Sequence, residues 1–156
     1  MAAWDDTGLY HEFIGNENFH RLLKVSKEKI DQWLWEEFVP RDEIFWMLLS
    51  YQSLYDTINP DWDYNTFPYN EYINTLNLST QSLFRYFSKI DIPTSVIYGE
   101  VDEYCGWDAN QAVKILKEHQ NKNITIDYMI VPWADHWFTW CYEELSQAVG
   151  RHFSSL

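Results

Sequence analysis

The sequence predicts an α/β protein, helix-rich, with helices and loops over residues 1–88 and a βαβα segment over 89–156. Three observations carry that reading. Two short apolar runs rich in β-formers, Val96-Ile97-Tyr98 and Ile124–Val131, are separated by one amphipathic stretch, so strand, helix, strand gives two parallel strands. The first ninety residues place their apolar side chains at helical spacing. Glycine and proline number only five each in 156 residues, which favours long helices over many tight turns.

In chain order, Asn16 can cap a helix whose stripe holds Phe19, Leu22, Leu23, Ile30, Trp33 and Leu34, and Pro40 ends it. Asp42 opens a second helix carrying Ile44, Phe45, Leu48, Leu49 and Tyr55, broken by Asn59-Pro60-Asp61. From Asp61 to Tyr69 the aromatics Trp62, Tyr64, Phe67 and Tyr69 sit in an ordered loop. A short helix is expected over Asn70–Leu76, and another over Ser79–Ser88 with Leu83, Phe84 and Phe87 inward. Pro93 and Gly99 bound the first strand. Asp108 followed by Gln111 resembles a capping box opening the helix of Ala112, Val113 and Leu116. After the second strand, a closing helix from about Cys141 to Phe153 presents Leu145, Ala148, Val149 and Phe153 on one stripe.

Composition narrows the function classes. A chain of this length folds as one ordinary domain burying roughly 70% of its unfolded surface, and 46% hydrophobic content is globular. The formal net charge is −13, from 24 acids against 11 Lys and Arg. Such a surface repels phosphate backbones and anionic lipid headgroups, so neither nucleic acid nor a membrane surface is an expected partner. No run approaches the roughly 20 apolar residues of a membrane span. Met-Ala-Ala-Trp-Asp-Asp is no secretion signal. Cys105 and Cys141 make no disulfide framework, so the default setting is reducing and cytoplasmic, with both thiols free.

The strongest functional signal is a pair of loops. Gly99-Glu100-Val101-Asp102 follows the first strand, and Ala134-Asp135-His136-Trp137-Phe138 follows the second. Parallel neighbours end at the same sheet edge, which would bring Asp102 and His136 together, an acid beside a histidine as in a nucleophilic triad. Over residues 89–153 the order, spacing and flanking strands resemble the C-terminal half of the α/β-hydrolase superfamily. There a strand ends in Gly-x-x-Asp with the triad acid. About thirty residues later, a small residue, Asp and His follow the last strand, before a closing amphipathic helix. The resemblance implies Asp102 as acid, His136 as general base and residues 1–88 as a helical lid, with Ala2-Ala3-Trp4-Asp5-Asp6 as the tail of a preceding strand. It further implies a serine hydrolase of carboxylesterase type acting on a small ester, with no cofactor and no metal.

The family's Gly-x-Ser-x-Gly nucleophile elbow is absent. Met1 stands where a complete hydrolase would be more than halfway through, so the chain is expected to be inactive alone. The same reading makes a complementing N-terminal half or a homodimer its expected partner, because two parallel strands leave open edges. A third arrangement folds the aromatic helical segment over the sheet.

Other residues compete for these roles. Glu100, Glu103 and Asp108 rival Asp102, but the spacing of three from Gly99 favours Asp102. Asp135 is expected to make local turn hydrogen bonds. His11, His20, His119 and His152 are expected on the surface. A metal set of Asp102, Cys105, His136 and Cys141 lacks Cys-x-x-Cys spacing, and Cys105 as nucleophile is not at an elbow. Trp133, Trp137 and Trp140 around His136, and Trp107 after Asp102, could form a substrate surface, but core and interface packing is the preferred reading. Trp133 stands where the superfamily often has glycine. The alternative to a hydrolase is a non-catalytic, acidic, Trp-rich interaction or ligand-binding module.

Overall fold

A computed structural model describes residues 5–44, 47–105 and 108–154; nothing is said of the His152 and Ser154 side chains. Of the strand tail expected at Ala2–Asp6, residues 2–4 lie outside the described residues, as do Phe45 of the second helix and Trp107, while Asp5 is irregular and Asp6 opens a helix instead of ending a strand.

The chain is helix-rich with a small parallel sheet. Its elements are α1 (Asp6–Ile14), α2 (Asn16–Asp31), α3 (Tyr51–Ile58), α4 (Tyr69–Asn74), β1 (Thr94–Gly99), α5 (Ala109–His119), β2 (Ile126–Val131) and α6 (Tyr142–Ser154). Two compact units form. One comprises Asp6–Asn65 and Leu76–Gln81; the other gathers Asp5 and Thr66–Thr75 with the described residues from Ser82 onward.

The first unit packs Phe19 and Leu22 of α2, Val39, Ile44, and Tyr51, Leu54 and Ile58 of α3 into one cluster. Helix α1 was not anticipated, because Thr7 and Gly8 weaken its helical pattern. Gly15, not Asn16, is the N-cap residue of α2, and α2 stops at Asp31 because Trp33 turns left-handed at φ 64°. Of the helix expected from Asp42, only the later part with Tyr55 forms; Arg41–Glu43 is a 3₁₀ turn, residues 47–49 are irregular, and Phe38 bridges Ser50. The later helix, α3, starts from Ser50, whose hydroxyl accepts the Ser53 N–H.

In the second unit, β1 pairs with β2 in parallel from Thr94↔Ile126 to Gly99↔Val131. Alternation sorts the side chains. Val96 and Tyr98 of β1, with Ile126, meet α5 residues Ala112, Val113 and Leu116 on one face. Ile97 and Val131 meet Phe138 and Ala148 on the other. Phe67, Tyr69, Phe84 and Phe87 complete the α5 face, and the Tyr69 and Tyr98 hydroxyls bond each other. The sheet thus carries helices on both faces, as parallel strands require. Helix α5 starts as anticipated, with Asp108 accepting the Gln111 N–H at 3.0 Å. Residues 79–88 do not form the expected helix. Phe84 takes φ 55°, and turns followed by a 3₁₀ segment at Phe87–Lys89 bury Phe84 and Phe87 instead.

Candidate functional site

Because Gly99 and Val131 are register partners, the connections that follow β1 and β2 leave the sheet side by side. They approach so closely that a Cβ on Gly99 would lie 2.3 Å from the Ala134 carbonyl oxygen and 2.4 Å from that of Asp135. Only glycine allows this. Two backbone bonds extend the ladder past the strands, from Glu100 N–H to the Val131 carbonyl at 2.9 Å and from Val101 N–H to the Ala134 carbonyl at 3.0 Å. Two carboxylates reach across as well. The Trp133 N–H donates to Glu100 Oε2 at 2.9 Å, and the His136 N–H donates to Glu103 Oε2 at 3.2 Å. These two acids, rivals of Asp102 in the sequence, are therefore occupied in tying the loops together.

Within that frame His136 Nδ1 lies 3.0 Å from Asp102 Oδ2 and 3.1 Å from Oδ1. Asp102 is fully buried and His136 is 7% exposed. The Tyr104 N–H donates to Asp102 Oδ1 at 2.9 Å. Rings bracket the imidazole, with Tyr104 tilted at 4.4 Å and Trp137 edge-on at 5.4 Å between centroids. Burial pushes the Asp102 carboxyl above its ordinary value, against the opposing pull of His136 and the Tyr104 N–H. An ionised Asp102 only accepts, so Nδ1 is the donor and a neutral imidazole has Nε2 as its basic nitrogen. Such a pair can take a proton from a group placed at Nε2 and return it.

The remaining candidates fall elsewhere. Asp135 holds its own turn, accepting the Thr139 N–H at 2.8 Å, which draws its carboxyl below the ordinary value. Cys105 is buried, its Sγ donates to the Asp102 carbonyl at 3.3 Å, and burial with the nearby Asp102 and Asp108 charges pushes its thiol up to about 12. A thiol so held is not a thiolate nucleophile near neutrality. Both cysteines are free. Among the described residues, no group of three or more His, Cys, Asp or Glu could hold a metal ion, and no helix is long and apolar enough to cross a membrane. His20 is exposed and His11 half-buried. His119 is half-buried like His11, its ring 4.6 Å from Phe84 and 5.0 Å from Tyr72 between centroids.

The strand-to-helix connections at 100–108 and 132–141 contain no serine. Ser50 caps α3, Ser79 and Ser88 donate to the carbonyls of Pro60 and Arg85, and Ser26 is buried within α2. The tryptophans correct the core part of the expectation: Trp133, Trp137 and Trp140 face solvent, and Phe138 enters the core. Trp133, Phe138 and Trp140 all have left-handed backbone, at φ 60°, 54° and 64°. Left-handed geometry is where glycine fits most easily, so Trp133 occupies a glycine-like position at a conformational cost.

No protein-family model, curated protein or solved structure matches the chain.

Proposed function

We propose that the chain is a serine-hydrolase type protein of carboxylesterase class with an α/β-hydrolase-like C-terminal segment, contributing Asp102 as acid and His136 as general base. The observation that carries this reading is the buried Asp102–His136 contact at the ends of two adjacent parallel strands. In a complete site, His136 Nε2 accepts the proton of an attacking hydroxyl as that oxygen bonds to the ester carbonyl carbon. The proton then passes to the leaving alkoxide, while Asp102 keeps Nδ1–H oriented and steadies the imidazolium. The serine-free connections 100–108 and 132–141 put the nucleophile outside the loops that carry the dyad, so the pair acts on a hydroxyl brought to it by another segment or a complementing chain.

A second reading is favoured by Trp133, Trp137 and Trp140, three exposed tryptophans within eight residues beside His136 on a strongly acidic chain. On that reading the loop is a binding surface without chemistry. Fluorophosphonate labelling of the purified chain and of His136→Ala separates the two. The hydrolase reading expects labelling, by the chain alone or once a complementing chain is added, that is lost in the variant, and peptide mapping names the serine. A folded wild-type chain that does not label, alone or mixed with candidate complementing chains, supports the binding module.

A further inference from the structure

The outer edge of β2 offers hydrogen bonds that nothing in the described chain takes up. Val131 gives its carbonyl to Glu100 on the β1 side. Backbone groups alternate in direction along a strand, so those of Met129 also face β1, while the N–H and C=O of Tyr128 and Ile130 point away from it. Beyond β1, the loop following it and the Ala134 N–H, which reaches the Val131 carbonyl at 3.4 Å, no hydrogen bond reaches this strand's backbone among the described residues. Beside the open edge runs a groove of about 240 Å³ formed by Met129–Pro132 and by Glu144, Gln147, Ala148 and Arg151 of α6. Those four helix residues fall at i, i+3, i+4 and i+7, a single face. Neither Glu144 nor Arg151 forms a salt bridge within the chain among the described residues.

We infer that this edge is a homodimer surface, on which β2 of a second copy pairs antiparallel to form a continuous four-stranded sheet. The groove's charge pattern selects that occupant. A two-fold axis passing between Gln147 and Ala148 sets Glu144 of each copy against Arg151 of the other, because the two lie equally far from that point. Isologous contacts need such self-complementarity. Ala148 packs inward on Ile97 and Val131, so the exposed Gln147 is the residue that stands nearest the axis. On the strand, a register centred on Met129 pairs the outward groups of Tyr128 with those of Ile130 in the second copy. The same register keeps exposed Asp127 opposite Val131 and away from its own copy, avoiding a like-charge pair across the strands. An edge strand left bare is an aggregation liability, and closed pairing with a second copy removes it.

Sedimentation velocity on the full chain at micromolar concentration tests this, with amide hydrogen exchange alongside. The wild type should sediment as a dimer, with slow exchange at Tyr128 and Ile130. Arg151→Glu turns two attractive contacts into repulsions and should weaken association about ten-fold or more. Glu144→Arg combined with Arg151→Glu should restore it. Lys24→Glu makes the same change in net charge on exposed α2 and should leave the dimer intact. A monomeric wild type would leave the edge to a strand of some other protein and overturn the inference. So would a dimer indifferent to Arg151→Glu. The outcome is independent of fluorophosphonate labelling, so the two readings fail separately.

Discussion

Substituting Gly99 by alanine tests whether the close approach of the two loops assembles the dyad. The new methyl would stand 2.3, 2.4 and 2.7 Å from Ala134 O, Asp135 O and Ala134 C. All three are backbone atoms, so no side chain can swing aside. Relief to ordinary contact moves the loops apart by about 1 Å, which threatens the Glu100–Val131 and Val101–Ala134 backbone bonds of 2.9 and 3.0 Å. Overpacking of this kind costs about 1–3 kcal/mol, and two weakened hydrogen bonds add about 1 kcal/mol each, giving a loss of roughly 3–5 kcal/mol. The same displacement carries His136 Nδ1 beyond bonding distance of Asp102, now at 3.0 Å. Urea denaturation reads the stability, and the downfield Nδ1–H proton resonance reads the dyad. Gly150 supplies the contrast, since it lies in α6 and its added Cβ meets nothing within 4 Å. Gly150→Ala should stabilise by about 0.5–1 kcal/mol. If Gly99→Ala proves as mild as a surface change and keeps the Nδ1–H signal, the loops are not held together as described.

Two further predictions concern buried polar groups. The raised Asp102 pKa means that the folded state keeps this proton to higher pH than the unfolded chain, whose value is about 3.9. Stability from the group is thus full below that value and is lost as pH rises through the folded pKa. Relative to Asp102→Asn, the wild type should therefore lose stability as pH climbs through and above the carboxylate range, measured by denaturation at stepped pH; a difference that moves the other way would contradict the burial argument. Ser26 is fully buried in α2 with an unpartnered hydroxyl. Its replacement by alanine should raise stability by about 1–2 kcal/mol, and a destabilised Ser26→Ala would show that the hydroxyl has a partner.

Much of the second unit was legible in the sequence because its signals are local. Val96–Tyr98 between Pro93 and Gly99, and the Asp108 cap, each specify an element within a few residues. Asp102 and His136 were legible because each stands at a fixed offset from its strand end, and parallel pairing does the rest. What stayed hidden depends on distant partners. Glu100 and Glu103 bond amides 33 residues away, and nothing near them in sequence announces that. The helix expected at 79–88 failed because Leu83, Phe84 and Phe87 suit a helical stripe and a left-handed turn equally well; burial against α5 and β1 chose the turn. The first part of the helix expected from Asp42 failed for a related reason. Ser50 was the stronger cap, and the return from Val39 to Leu49 took the backbone hydrogen bonds that a helix would have used.

The path of the chain between the two units sets an order of events during synthesis. The first unit ends with Leu76–Gln81, which Asp61 fastens through the amides of Thr80 and Gln81. All of its residues have been made before the first residue of β1 is added. The second unit is in the opposite position. Tyr69 is made early, yet its hydroxyl partner Tyr98 lies 29 residues later, and the strand that completes the sheet follows later still. A growing chain can therefore close its helical unit while Phe67, Tyr69, Phe84 and Phe87 wait without a sheet to cover. Those four aromatic side chains are the part of the nascent protein most exposed to wrong contacts, and a pause in elongation after residue 87, before β1 is made, would lengthen that exposure.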